Sequence, residues 1–346
     1  MDRVDWSTRP PIPHRTGRTP TEVEDLILAV RHELKYDSIL GEFGAPAIQR
    51  ELRDRTAPVV PSVATIGRVL ERRGALDGQR RVRRPPPPRG WYLPEVAAGH
   101  AELDSFDVIE GLVIQGGLPV EVLTGISLLG GLSAGWAGPP VTARLVVDRL
   151  TGHWRAHGLP AYAQFDNDTC FQGAHQHPDC ISRVMRLCLS LGVVPVFTPV
   201  QEPSFQAALE NLNGLWQKKV WGRVHFQGYE DLRQRSDAYI HARRQRAAAR
   251  IESIARRPFP TRWALDLQRH PGGRIIFLRR TTATGSVSLL GHVLSVHPHW
   301  THRLVRCEVD LDTERISMFA LRRRDPHDQP LLRVHPYVLP RRRFAE

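Results

Sequence analysis

Cysteine is scarce in this chain: four in 346 residues, at positions 170, 180, 188 and 307. So few, so scattered, build no disulfide framework, and a reducing cytoplasm is the expected setting. The opening residues, MDRVDWSTRPPIPHR, lack the apolar stretch that a secretion signal needs. Long hydrophobic runs are missing too. The stretch from Val122 to Ala143 is uncharged, but it carries five glycines and two prolines and breaks at Gly130-Gly131 like a hairpin. No bilayer-spanning helix is expected there. Acidic residues are outnumbered, 36 Asp and Glu against 48 Lys and Arg, for a formal charge of +12. That excess attracts polyanions, of which nucleic acid is the commonest. No internal repeat is present.

What is there falls into blocks. Residues 1–20 are rich in Pro and Arg without periodicity and read as an arm. Thr19-Pro20-Thr21-Glu22 predicts a helix start, with a Thr cap, proline at the first helical position and Glu22 closing a capping box. Val23, Ile27, Leu28, Val30 and Leu34 follow at helical spacing. Further helices are predicted over 45–55 and 62–73, the latter capped by Ser62 and stopped at Gly74. In that last helix Val63, Ile66, Val69 and Leu70 form one stripe; Thr65, Arg68, Arg72 and Arg73 lie off it. Three short helices with a basic third predict a helix-turn-helix DNA-binding domain over 21–76. Residues 77–98 then read as a linker. Its segment QRRVRRPPPPR sets Arg80, Arg81, Arg83 and Arg84 before a stiff polyproline run, where they can lie along phosphates.

From 99 to 250 strands alternate with helices, as in a mixed sheet flanked by helices. A second linker is expected over 251–272. Over 273–346 short strands with turns between them, one alternating as Val305, Cys307, Val309 and Leu311, predict a small β-barrel with a basic tail. The expected fold is therefore multidomain α/β.

Metal-assisted phosphoryl transfer needs carboxylates from different elements to converge, because divalent ions clamp the attacking and leaving oxygens. Asp104 in AELDSFDV, Asp166 in QFDND and Glu210 in FQAALENLNGLWQKKVW occur in a suitable order. With these residues the block over 99–250 resembles the RNase H-like catalytic core of DDE transposases and retroviral-type integrases, in particular bacterial insertion-sequence transposases. DNDTCF follows the family's D-N-G-x-x-F stretch, with Asp168 in place of the glycine. LCLSLGVVPVFTPV and the Glu210 helix keep the order that follows.

The resemblance implies Asp104, Asp166 and Glu210 as catalytic residues and as ligands of Mg²⁺ or Mn²⁺, used in DNA strand cleavage and strand transfer. It implies double-stranded DNA as partner, a homo-oligomer of at least a dimer on DNA, and residence in the bacterial cytoplasm or nucleoid. Gln217, Lys218 and Lys219 would follow the DNA, as would Arg322, Arg323 and Arg324 with the tail Arg341–Arg343. Departures are present. Between Asp166 and Glu210 lie 43 residues, more than is usual in the family. Glu202 is set aside because it precedes Pro203, ahead of the helix. The N-terminal region matches one helix-turn-helix where two are common.

Three alternatives stay open. FDNDT also fits the D-x-D-x-T nucleophile motif of haloacid-dehalogenase-like phosphatases, with Asp168 as acid. Cys170, His175, His177 and Cys180 form a set that zinc could accept. The chain could also be a catalytically silent derivative that binds DNA without cutting it.

Overall fold

The computed structural model describes residues 19–38, 42–76, 89–173, 177–200, 202, 205–323 and 326–344. They divide into two compact units, one up to Arg84 and one from Pro85 onward. In the first unit the described residues form helices α1 (Thr21–Tyr36), α2 (Ala45–Asp54) and α3 (Val63–Arg72). Their apolar stripes meet in one core of Ile27, Val30, Ile48, Leu52, Ile66, Val69 and Leu70. Ser62 caps α3 as expected, accepting the amide of Thr65 at 3.2 Å. The capping box at the start of α1 is not made. That helix begins after Pro20 with no side-chain cap.

The second unit opens with a short helix, α4 (Pro94–Ala97), and an antiparallel meander of β1 (Leu103–Ile114), β2 (Leu118–Ser127) and β3 (Ser133–Gly138). Then come α5 (Ala143–His157), β4 (Tyr162–Phe165), α6 (Thr169–Gln172), α7 (Arg183–Ser190) and β5 (Val194–Phe197). The helices α8 (Ala207–Lys219), α9 (Tyr229–Arg246) and α10 (Ala248–Glu252) follow, with a 3₁₀ turn at Trp221–Arg223. The last strands are β6 (Arg274–Arg280), β7 (Ser286–Leu289), β8 (His292–Ser295), β9 (Leu304–Asp310), β10 (Arg315–Ala320) and β11 (Leu331–Pro336).

Nine of these strands join in one mixed sheet, ordered β11-β10-β9-β6-β5-β4-β1-β2-β3 among the described residues. β4 lies parallel to both β1 and β5, and β6 lies parallel to β5. Strand alternation gives the sheet two different faces. Phe106, Ala163, Phe165, Phe197 and Phe277 point into a large core shared with α5 and α7. On the other face Gln164 is buried and accepts hydroxyl protons from Tyr92 at 2.7 Å and Ser105 at 3.2 Å. α8 covers this second face, packing Leu209 and Leu212 against Ile126 of β2.

Two expectations from the sequence need correction. Residues 90–98 are not linker: Trp91, Tyr92, Leu93 and Val96 are buried with Leu103, Phe205 and Ile276. The strands after 273 do not stand apart as a barrel. Backbone hydrogen bonds from β6 to β5 make them a continuation of the central sheet. Alternation identifies a half-buried strand but not its neighbour, which is why the sequence pattern misled. Val122 to Ala143 holds β2 and β3, and no helix among the described residues is long and apolar enough to cross a membrane.

The supposed second linker is also fastened down. Arg257 exchanges both backbone hydrogen bonds with Leu159, at 2.7 and 3.1 Å. Beside it Arg256 meets Asp104 of β1 in a two-pronged ion pair, at 2.9 Å to Oδ1 and 2.6 Å to Oδ2. Trp154 of α5 donates its indole N–H to the same carboxylate at 3.1 Å. The two charged side chains are only 8% and 2% exposed. Removing one partner of such a pair leaves a buried charge uncompensated. Asp104→Asn should therefore lower unfolding free energy by about 3–5 kcal/mol, read from urea denaturation. A loss below about 1 kcal/mol would mean the pair does not fasten this segment.

Candidate active site

The first two predicted acids do not meet. Asp104 pairs across from Ala163 of β4, and both lie on the α5 and α7 face, where Arg256 takes the carboxylate. Asp166 follows Gln164 by two residues and so belongs to the α8 face. The aspartate of β1 on that face is Asp107, three residues beyond Asp104. The parallel register matches Ser105 with Gln164, and carrying it on by two brings Asp107 beside Asp166. The corrected candidate pair is Asp107 and Asp166.

Their electrostatics agree with closeness. Burial, then the Asp166 charge, raises the Asp107 carboxyl from the ordinary 3.8 to about 6. Asp166 is raised as well, by burial and then by Asp168, against a lowering hydrogen bond from the Asp168 amide. That amide reaches Asp166 Oδ1 at 3.0 Å. Val108 N–H donates to Asp107 Oδ1 at 2.9 Å, and Asn213 of α8 donates to Oδ2 at 2.8 Å. The Thr124 hydroxyl fixes the Asn213 amide by donating to its Oδ1 at 2.7 Å.

Glu210 lies three residues before Asn213 on α8, at the exposed surface. Two other acids raise Asp107, Asp166 and, less strongly, Glu110. Glu110 stands at a bulge in β1, where the register slips between Ile109 and Leu112 and Gly111 takes φ +73°. Its carboxyl is raised by burial first, then by Asp168, Glu121 and Asp166. Among the described residues no three His, Cys, Asp or Glu side chains gather tightly enough to hold a metal ion. Of the three expected acids, Asp104 is engaged elsewhere, by Arg256.

Asp168 has a local task. Its carboxylate caps α6, accepting the Cys170 amide at 2.7 Å. Burial and then Asp168 push the Cys170 thiol up. His175, of the possible zinc set, lies outside the described residues.

The cationic positions sort differently from expectation. Arg68 is exposed on α3 and has no ion pair among the described residues. Arg72 and Arg73 instead turn back to α1. Both meet the buried Glu24, and Arg73 also reaches Asp25 at 2.6 Å. Gln217 and Lys218 are exposed on α8, whereas Lys219 is buried. Arg322 is tied to Asp328 and stacks on Trp300, while Arg323 is exposed. Arg80, Arg81, Arg83, Arg84 and Arg324 lie outside the described residues.

No known family model matches the chain, and no curated protein matches it. Solved structures similar to it include a simian T-cell lymphotropic virus intasome in complex with PP2A regulatory subunit B56 gamma. That likeness has 10% identity and a TM-score of 0.38, covering 76% of this chain and 84% of that one. The catalytic core domain of BIV integrase is similar at 15% identity and TM-score 0.31, over 40% of this chain and 81% of that chain. The HTLV-2 integrase catalytic core domain in complex with magnesium gives 12% and 0.29, over 40% and 82%. Overlap this slight assigns neither a family nor an activity.

The raised Asp107 carboxyl has a measurable consequence. Between about pH 4 and 6 the folded protein holds a proton that the unfolded chain has released. Stability therefore falls as pH rises through that window. In chelator the Asp107 contribution should be about 2–3 kcal/mol at most, and Asp107→Asn should remove it. Denaturation midpoints of both proteins from pH 4 to 7.5 check this; parallel pH profiles would mean that the Asp107 carboxyl is not raised.

Proposed function

We propose that the second unit is a DNA strand-cleaving and strand-joining phosphoryl transferase of the DDE transposase and integrase kind. The observation that carries the reading is the pair Asp107 and Asp166, brought from two parallel neighbouring strands to the face covered by α8. The mixed sheet flanked by helices is compatible with an RNase H-like core.

The donor set suits one hard divalent cation. Mg²⁺ keeps several waters and is commonly held by one or two carboxylates together with substrate phosphates. Asp107 and Asp166 would hold it through carboxylate oxygens, and its charge would offset the Asp166 charge that, after burial, raises the Asp107 carboxyl. When bound, Mg²⁺ or Mn²⁺ would supply charge stabilisation at phosphate oxygens and a more acidic bound water.

The remaining work falls to the chain. Asn213 holds Asp107 Oδ2 and is itself held by Thr124, so the first carboxylate is oriented from both sides. The Asp168 amide orients Asp166, and the cap that Asp168 makes on α6 fixes that amide. Glu210, exposed a turn before Asn213, stands where DNA laid along α8 would meet it, about two turns before Gln217 and Lys218 on the same helix. Asp104 holds no cation in this reading, because it is engaged by Arg256. The three-helix unit is assigned to DNA reading through Arg68, and the active form to an oligomer of at least two copies.

One observation favours a second reading, a silent DNA-binding derivative: an amide, Asn213, occupies the position against Asp107. Cleavage of a labelled duplex with Mg²⁺ or Mn²⁺ separates the two readings. Asp107→Asn and Asp166→Asn should each cut product formation at least ~100-fold while leaving duplex binding intact. A wild-type protein that binds duplex but never nicks it would support the silent reading. Full activity in Asp107→Asn would remove the acid pair from the chemistry.

A further inference from the structure

A cavity of about 610 Å³ lies between the segment after β4 and the β6–β8 region, lined by Asn167, Gln172, Arg279, Arg280, Thr282 and Ser288 among others. Its wall starts one residue after Asp166. The parallel strands β4, β5 and β6 end along one edge of the sheet, the position where α/β sheets bind ligands. Asp166 follows β4, Thr198 follows β5, and Arg279 stands near the end of β6, two strands or ~10 Å across from β4. The Thr198 carbonyl ties the three together, accepting from Asn167 Nδ2 at 2.7 Å and from Arg279 Nη1 at 3.2 Å.

The two arginines of this cavity differ. Arg280 is neutralised by Glu202. Arg279 has no carboxylate partner among the described residues. It donates to the carbonyls of Thr198 and Leu278 and lies over the Phe277 ring, 5.0 Å from its centroid. Burial lowers its pKa to about 10, and no carboxylate opposes the shift. A guanidinium withdrawn from water without an anion is costly, and its planar fork suits phosphate. Across the cavity Gln172 Oε1 is a buried acceptor with no donor among the described residues. A cation at this opening with no carboxylate beside it fits a ligand that brings an anion, as a nucleotide does.

We propose that Arg279 binds a phosphodiester of DNA that crosses the sheet edge from the acid pair on the α8 face to this cavity on the α5 and α7 face. The strand would thus be gripped at the sheet edge by the β-extension itself, on the face opposite the acids. This rests on the strand-cleavage reading above, and the experiment separates the two.

Full-length wild type, Arg279→Gln, Arg279→Lys and Gln172→Glu are titrated with a labelled duplex from about 50 to 200 mM salt, where each phosphate contact adds about 0.9 to the slope of log K against log salt. In parallel their melting is followed with millimolar inorganic phosphate. Arg279→Gln should flatten the slope by about 0.9, and Arg279→Lys should keep it. Gln172→Glu, which leaves Arg279 in place, should weaken DNA binding through repulsion and keeps the test open if Arg279→Gln does not fold. Phosphate should raise the melting temperature of wild type but not of Arg279→Gln. Duplex binding with the same slope and affinity in Arg279→Gln and Gln172→Glu would overturn the Arg279 site and leave the strand-cleavage reading standing. Phosphate protection that needs Arg279, in a wild type that binds no duplex, would keep the anion site and overturn the DNA reading.

Discussion

The parallel pairing of β1 with β4 is the constraint on which the candidate site depends. It sets Ser105 against Gln164, so the next residues on the same face are Asp107 and Asp166. Neither acid needs a long or adjustable side chain to reach the other, because two neighbouring backbones deliver them. Residues one step out of phase face the opposite core. Asp104 is out of phase, and its carboxylate is spent on Arg256 and Trp154.

The sheet also explains how two repelling acids are tolerated. Asp107 and Asp166 stand on the rim of a surface whose opposite face is a large apolar core of Phe106, Phe165, Phe197 and Phe277. Packing on that face holds both strands in register whatever the charge state of the acids. The extension from β6 to β11 adds further strands to the same rim, and with them Arg279. A cationic side chain and a carboxylate pair thus share one sheet edge without forming a salt bridge with each other. Opposite charges kept apart on a rigid edge suit a ligand that carries negative charge and arrives with a cation.

Much of this was legible in the sequence. The three N-terminal helices follow from apolar stripes and the Ser62 cap, and the alternation of strands with helices over 99–250 follows from the pattern there. The place of Asp166, at the end of a short strand before a turn, is legible in QFDND. Asp107 was passed over because LDSFD holds two aspartates three apart on one strand. Choosing between them needs the parity of the neighbouring strand, which lies almost sixty residues away in the chain. The barrel expectation failed for a similar reason, since local period says nothing about which strand β6 will pair with. Arg72 and Arg73 looked free on α3 because their partners, Glu24 and Asp25, sit on a helix nearly fifty residues earlier. In each case the missing information was non-local contact.

The central claim is that the first acid of the site is Asp107 and that Asp104 is structural. Mn²⁺ binding followed by electron paramagnetic resonance tests it without requiring any DNA or any turnover. Folded Asp104→Asn should retain the bound-Mn²⁺ signal of wild type, while Asp107→Asn and Asp166→Asn should each lose it. Retention of the signal in Asp107→Asn, with its loss in folded Asp104→Asn, would contradict the account.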